Sequence, residues 1–145
     1  MFMSKVIERL VARQLTGYLE SNQLMPMFQS AYRRSHSTET AILKIVSDIL
    51  DAADASPSQV TLLGMLDLSA AFDTVDHAIL LSRLRKSYGI TDKALSWIAS
   101  FLDTRSQAVA FGGQTSAQMR LQHGVPQGSV LGPLLFILYT ADVID

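Results

Sequence analysis

Apolar residues recur at helical spacing from the start of the chain. Ile7, Leu10, Val11, Leu15, Tyr18 and Leu19 predict an amphipathic helix over 4–20. Residues 21–36 are irregular, with Pro26 and the polar run Arg33-Arg34-Ser35-His36. Ser37 is placed to cap a second helix, and Glu39 falls in its first turn, where the helix dipole favours an acid. The apolar face of that helix is Ala41, Ile42, Ile45, Val46, Ile49, Leu50 and Ala53, and Ser56-Pro57-Ser58 ends it. Val60–Leu66 is a short continuous apolar run, which predicts a buried strand ending at Asp67.

Asp76 or His77 opens a third helix through Ile79, Leu80, Leu81 and Leu84, stopped near Gly89. Thr91 caps a fourth, through Leu95, Trp97, Ile98, Phe101 and Leu102. Gly112-Gly113 centres a hairpin of Gln107–Phe111 against residues 116–121. Gly124–Ser129 is a loop, and Ser129 is placed to cap a last helix carrying Leu131, Leu134, Leu135, Leu138 and Tyr139. Strand, helices, hairpin and helix in this order predict an α+β fold, a sheet with helices on one face. No linker divides the chain, which reads as one unit.

Composition narrows the function classes. The 145 residues are 48% hydrophobic and 17% charged, enough apolar surface to build a core rather than stay disordered. With 12 Lys+Arg against 13 Asp+Glu the net charge is -1, so the basic excess of a free-standing nucleic-acid binder is missing. There is no cysteine, which excludes disulfides and thiolate metal sites. No apolar run reaches the roughly 20 residues of a membrane span, and charged Lys5, Glu8 and Arg9 interrupt any signal-peptide core. No membrane partner and an intracellular location are therefore expected.

Asp67 is the first candidate for chemistry. A carboxylate at the end of a buried strand is costly unless paired. It reads either as a cap of the turn Ser69-Ala70-Ala71 or as a ligand of a divalent cation such as Mg²⁺. His36, His77 and His123 are too scattered for a metal set and read as surface or capping residues. Trp97 reads as core, Arg83, Arg85 and Lys86 as a solvated face, and Asp73 and Asp76 as turn or capping residues.

Three blocks in order carry a resemblance. Leu66-Asp67-Leu68-Ser69-Ala70-Ala71-Phe72-Asp73 resembles the first catalytic motif of reverse transcriptases of non-LTR (LINE-like) retrotransposons. The run from Gly124 to Phe136, Gly-Val-Pro-Gln-Gly-Ser-Val-Leu-Gly-Pro-Leu-Leu-Phe, resembles their Pro-Gln-Gly motif. Gln29–Thr38 is similar to their fingers motif, and Lys5–Leu10 to the helix before it. The resemblance implies partial fingers (1–59) and a partial palm (60–145) of a right-hand polymerase, with an incomplete antiparallel sheet packed against helices. It implies that Asp67 and the Leu68 carbonyl bind Mg²⁺, that Phe72 is the steric gate, and that Gln127 and Gly128 lie against the incoming nucleotide. Arg33 is implied to contact the triphosphate, with Arg34 beside it.

The implied reaction is RNA-directed DNA synthesis on an RNA template, with a DNA primer and dNTPs as partners. Two departures stand out. Ala31 occupies a step where glycine is usual, which matters if that position needs a positive φ. The family's Tyr-Ala-Asp-Asp hairpin is not present, and Tyr139-Thr140-Ala141-Asp142 at the end of a helix does not replace it. That hairpin is expected beyond Asp145, so the 145 residues are expected to be a piece that is inactive alone and prone to self-association. Asp67 and Gln127 are expected to open on one cleft, with the Asp67 strand beside the hairpin. The alternative is a domesticated relic that acts by binding RNA or protein.

Overall fold

A computed structural model describes residues 2–55, 60–103 and 105–143. The order is α1 (Phe2–Ser21), α2 (Thr38–Ala55), α3 (His77–Lys86), α4 (Asp92–Asp103), β1 (Ser106–Gln107), β2 (Ala110–Phe111), β3 (Gln114–Thr115), β4 (Met119–Arg120), α5 (Gly132–Thr140) and a 3₁₀ turn (Ala141–Val143). Helices beside small antiparallel sheets make the class α+β. The chain divides into two compact units, Met1–Pro26 with Ala70–Asp145, and Met27–Ser69.

In the first unit α3 packs against both α4 and α5. The core is leucine-rich: Leu19, Leu80, Leu84, Leu102, Leu131, Leu135 and Leu138 are fully buried. Its helix α5 is apolar almost throughout and buries five of its nine residues, as a helix without a polar face must. Asp76 caps α3 by accepting the Ile79 N–H at 2.9 Å. Tyr18 of α1 reaches across to donate to the Tyr88 carbonyl at 2.8 Å.

The buried stripe of α1 is rotated from the expected one. Leu15 and Leu19 are buried, whereas Ile7 and Leu10 are exposed, and the stripe continues through Ala12 to Glu8, which is only 6% exposed. Arg83 also departs from the solvated face assigned to it. Its side chain is 28% exposed, pairs with Asp142, donates to the Tyr139 carbonyl and lies over the Tyr139 ring at 5.3 Å. Arg85 and Lys86 are exposed as expected.

The Gly112-Gly113 hairpin forms where its sequence places it. Ala110 pairs with Thr115 and Phe111 with Gln114 around a two-residue turn whose glycines have φ of 58° and 77°. Beyond it, Ser106 pairs with Arg120 and Gln107 with Met119. Between the two ladders the Val109 N–H donates to the Ser116 hydroxyl at 3.0 Å, so side chain and backbone share the pairing.

In the second unit α2 starts with a reciprocal cap. Thr40 N–H donates to Ser37 Oγ at 3.2 Å, and Ser37 N–H to Thr40 Oγ1 at 2.9 Å. The Ser56-Pro57-Ser58 break lies outside the described residues. The buried strand expected over 60–66 does not form. These residues have no regular secondary structure and are exposed, Leu62 at 90% and Leu66 at 92%. A strand exists only as a ladder, and both described sheets are two-stranded and made of β1 to β4 alone. Asp67 therefore ends no strand among the described residues.

Candidate functional site

The site is built where the segment 70–76 meets the loop 123–131. A turn closes the first piece: Asp73 N–H donates to the Ala70 carbonyl at 2.8 Å, with Ala70 at a φ of 51°. That turn offers two carbonyls to the loop. Val125 N–H donates to the Phe72 carbonyl at 2.7 Å and Gly124 N–H to the Val75 carbonyl at 2.8 Å.

The approach is tight enough to require glycine. Gly124 has a φ of 86°, and a Cβ there would stand 3.1 Å from Asp73 Cα and 3.2 Å from the Phe72 carbonyl oxygen. Its carbonyl accepts from Arg105 Nη1 at 2.9 Å and from His77 Nε2 at 2.8 Å. Arg105 and His77 are thus structural anchors of the loop.

Past this corner the loop turns outward. Gln127 and Gly128 are exposed, and the Gln127 side-chain amide donates to both Asp73 carboxylate oxygens at 3.2 Å. Gly128 has a φ of 71°, with no heavy atom within 4 Å of where a Cβ would stand. Ser129 is buried. Its N–H donates to the Pro126 carbonyl at 3.0 Å, and its hydroxyl accepts the N–H of Gly132, the first residue of α5, at 2.6 Å, while the N-cap position itself is Leu131. Helix α1 holds the loop from the N-terminal side of the chain: Lys5 Nζ donates to the Gly128 carbonyl and Val130 N–H donates to Glu8 Oε2, each at 2.7 Å.

Asp73, Pro126 and Gln127 border an open cleft of about 1100 Å³, with Arg105, Arg120 and His123 on its wall. The Phe72 ring is half-buried and leans on Phe136, with centroids 5.0 Å apart and planes at 58°. Asp76 lies beside the loop, its carboxylate 3.7 Å from His123 Nε2. The Ile79 N–H that it caps holds its carboxyl below the ordinary value of 3.8, against the opposing effect of desolvation.

Of the expected site residues, this unit brings together Phe72, Gln127 and Gly128. Asp67, Leu68, Arg33 and Arg34 belong to the other unit. Asp67 and Leu68 are exposed there. Arg33 Nη1 donates to the Met27 carbonyl at 3.1 Å, and His36 Nδ1 donates to the Arg34 carbonyl at 2.9 Å. The positive φ of this turn falls on Tyr32 (56°) and Ser35 (62°), not on Ala31, so Ala31 fills its place without strain.

Among the described residues no group of three or more acidic or histidine side chains could hold a metal ion. No described helix is long and apolar enough to cross a membrane.

Two contacts were invisible in the sequence. Asp73 reads as a turn residue but is the partner of Gln127. Glu8 has no assigned contact in the sequence, although it stands four and seven residues before Ala12 and Leu15 on the buried stripe, the one signal that could have exposed it.

The family described as reverse transcriptase (RNA-dependent DNA polymerase) matches residues 1–145. The chain is 35% identical over 141 residues to a probable RNA-directed DNA polymerase from transposon X-element of Drosophila melanogaster, covering 97% of this chain and 15% of that protein. It is 31% identical over 141 residues to the RNA-directed DNA polymerase from mobile element jockey of Drosophila funebris, with the same coverage. A Pol polyprotein from the type-1 retrotransposable element R2 of Popillia japonica is 33% identical over 79 residues, 54% of this chain and 13% of that protein. The chain thus spans about 15% of the length of the first two relatives. No solved structure gives a significant match.

Proposed function

The chain belongs to the reverse transcriptase family, of the non-LTR retrotransposon kind, and on that premise we propose that it supplies part of the active site of an RNA-directed DNA polymerase. The reaction is nucleotidyl transfer from a dNTP to a DNA primer 3′-hydroxyl, directed by an RNA template. Residues 1–59 act as fingers and 60–145 as part of the palm. The observation that carries this reading is the Gln127-Gly128 turn, exposed at the border of the cleft and anchored through Asp73, Phe72 and Val75.

The chemistry of each residue follows from its type. Asp67 and the Leu68 carbonyl give Mg²⁺ two of its oxygen ligands. When bound, such ions activate the attacking oxygen and neutralise charge on the leaving group. Phe72, half-buried and braced by Phe136, is the ring assigned to exclude a 2′-hydroxyl and so to select deoxyribose. Gly128 has open space where a side chain would stand, which lets nucleotide and backbone approach closely. Gln127 presents an amide to the nascent pair, and Arg33 with Arg34 meets the triphosphate, for which a guanidinium fork suits paired phosphate oxygens.

Two-metal chemistry needs carboxylates on both sides of the ions, and Asp67 is one. The 145 residues by themselves are accordingly inactive. The test is primer extension on an RNA template by these 145 residues and by the whole polypeptide of the element that encodes them. The whole polypeptide extends the primer, Asp67→Asn abolishes extension, and the isolated chain yields no product. Undiminished synthesis by Asp67→Asn removes the metal assignment, and synthesis by the isolated chain removes the claim of inactivity.

A further inference from the structure

We propose that α1, through Glu8 and Lys5, is the positioning device of the nucleotide loop, so that nucleotide affinity depends on two residues that touch no nucleotide. This rests on the reading that Gln127 and Gly128 face the nucleotide. Glu8 is 6% exposed, and a carboxylate so far from water is tolerated only where donors replace its hydration. It has one such donor, the Val130 N–H at 2.7 Å, and an ion pair with Lys5 Nζ at 3.6 Å. The same ammonium donates to the Gly128 carbonyl at 2.7 Å. The two α1 side chains thus grip the loop on either side of Ser129, one at a carbonyl and one at an N–H.

The grip matters because the exposed part of the loop has little packing of its own. Gln127 and Gly128 are exposed, and no heavy atom lies within 4 Å of a Cβ at Gly128. Asp73 holds the Gln127 side chain and Ser129 bonds to Gly132, while Glu8 and Lys5, far off in the sequence, hold the backbone itself at Val130 and Gly128. A loop fixed before the nucleotide arrives does not have to be ordered by it. Glu8 and Lys5 are positioning residues. Losing them weakens ground-state and transition-state binding alike, which raises KM and leaves kcat.

The test is steady-state extension by the whole polypeptide, with dTTP on a polyadenylate template, together with amide exchange of the 145-residue chain. Glu8→Ala raises KM for dTTP about tenfold, the scale of one hydrogen bond to a charged group, and holds kcat within about twofold. Glu8→Gln, whose amide oxygen still accepts from Val130, restores most of the affinity. Lys5→Met raises KM by a smaller factor, about threefold. In the wild-type chain the Val130 amide is protected from exchange. Glu8→Ala releases it while the α5 amides stay protected.

An unchanged KM in Glu8→Ala overturns the proposal. So does a parallel fall of kcat and thermal stability without selective release of Val130. If Glu8→Ala does not fold, wild-type exchange decides: a Val130 amide as fast as an open loop amide overturns it. Gln127→Ala separates the two readings. If it leaves KM untouched, the loop does not meet the nucleotide, whereas the Glu8 grip is judged by the exchange data alone.

Discussion

Two glycines in one loop make a quantitative contrast. Gly124 and Gly128 both have positive φ, 86° and 71°. A Cβ in a left-handed conformation costs about 1–2 kcal/mol, and replacing glycine with alanine returns about 0.4–1 kcal/mol by restricting the unfolded chain. Gly128→Ala meets open space, so its net loss is about 1 kcal/mol. Gly124→Ala meets Asp73 Cα at 3.1 Å, the Asp73 carbonyl oxygen at 3.1 Å and the Phe72 carbonyl oxygen at 3.2 Å, all backbone atoms that no rotamer change can move. Overpacking of this kind adds about 1–3 kcal/mol, which brings the Gly124→Ala loss to about 2–4 kcal/mol. The assay is urea unfolding followed by the fluorescence of Trp97, the one tryptophan, which sits half-buried in the same unit and stacks on Phe101. Equal losses for the two variants, or a milder loss for Gly124→Ala, would refute the close-approach argument.

Other variants probe other contacts. Arg83→Met removes an ion pair, a bond to the Tyr139 carbonyl and a ring contact, and should cost about 1–3 kcal/mol in the same urea assay, whereas Asp142→Asn, at an exposed partner, should cost under about 1 kcal/mol. Because its folded pKa is depressed, Asp76 contributes stability above its ordinary value of 3.8, and that stability is lost as pH falls through the lower folded value. Asp76→Asn keeps a cap without the titration, so its acid unfolding profile should be shallower than wild type; an identical profile would remove Asp76 as a source of acid sensitivity. Phe72→Ala in the whole polypeptide should admit ribonucleotides in primer extension, and retained discrimination would remove the gate assignment. The exposed apolar segment Val60–Leu68 invites association, so Leu62→Lys with Leu66→Lys should lower sedimentation-measured self-association, and no change would place the contact elsewhere.

Elements whose ends carry their own chemistry were legible in the sequence. Ser37, Asp76 and Gly112-Gly113 each mark a boundary through local hydrogen bonding or backbone freedom, and the helices and hairpin follow. Val60–Leu66 was misread because a continuous apolar run signals a wish for burial, and burial of a strand needs a neighbouring ladder that sequence pattern does not disclose. Arg83 was misread because its partners, Tyr139 and Asp142, lie more than fifty positions away. At the site, the motif residues were legible one by one. The bonds between them were not, since Glu8 and Val125 are joined to the site through backbone groups, which every residue has in common.

The unit that holds the loop is assembled from two ends of its sequence, with Met27–Ser69 in between. Glu8 and Val130 are separated by 122 positions, and Lys5 and Gly128 by 123. A ribosome adding about 5–20 residues per second leaves α1 waiting for about 6–25 seconds before its loop exists. Through that interval Leu15 and Leu19 can pack on Leu80, Leu84 and Ile98 as these are made, whereas Glu8 has no loop to hold. Long-range closure of this kind slows folding. The grip of α1 is therefore made late, and the loop takes its final shape only when segments 122 positions apart have met.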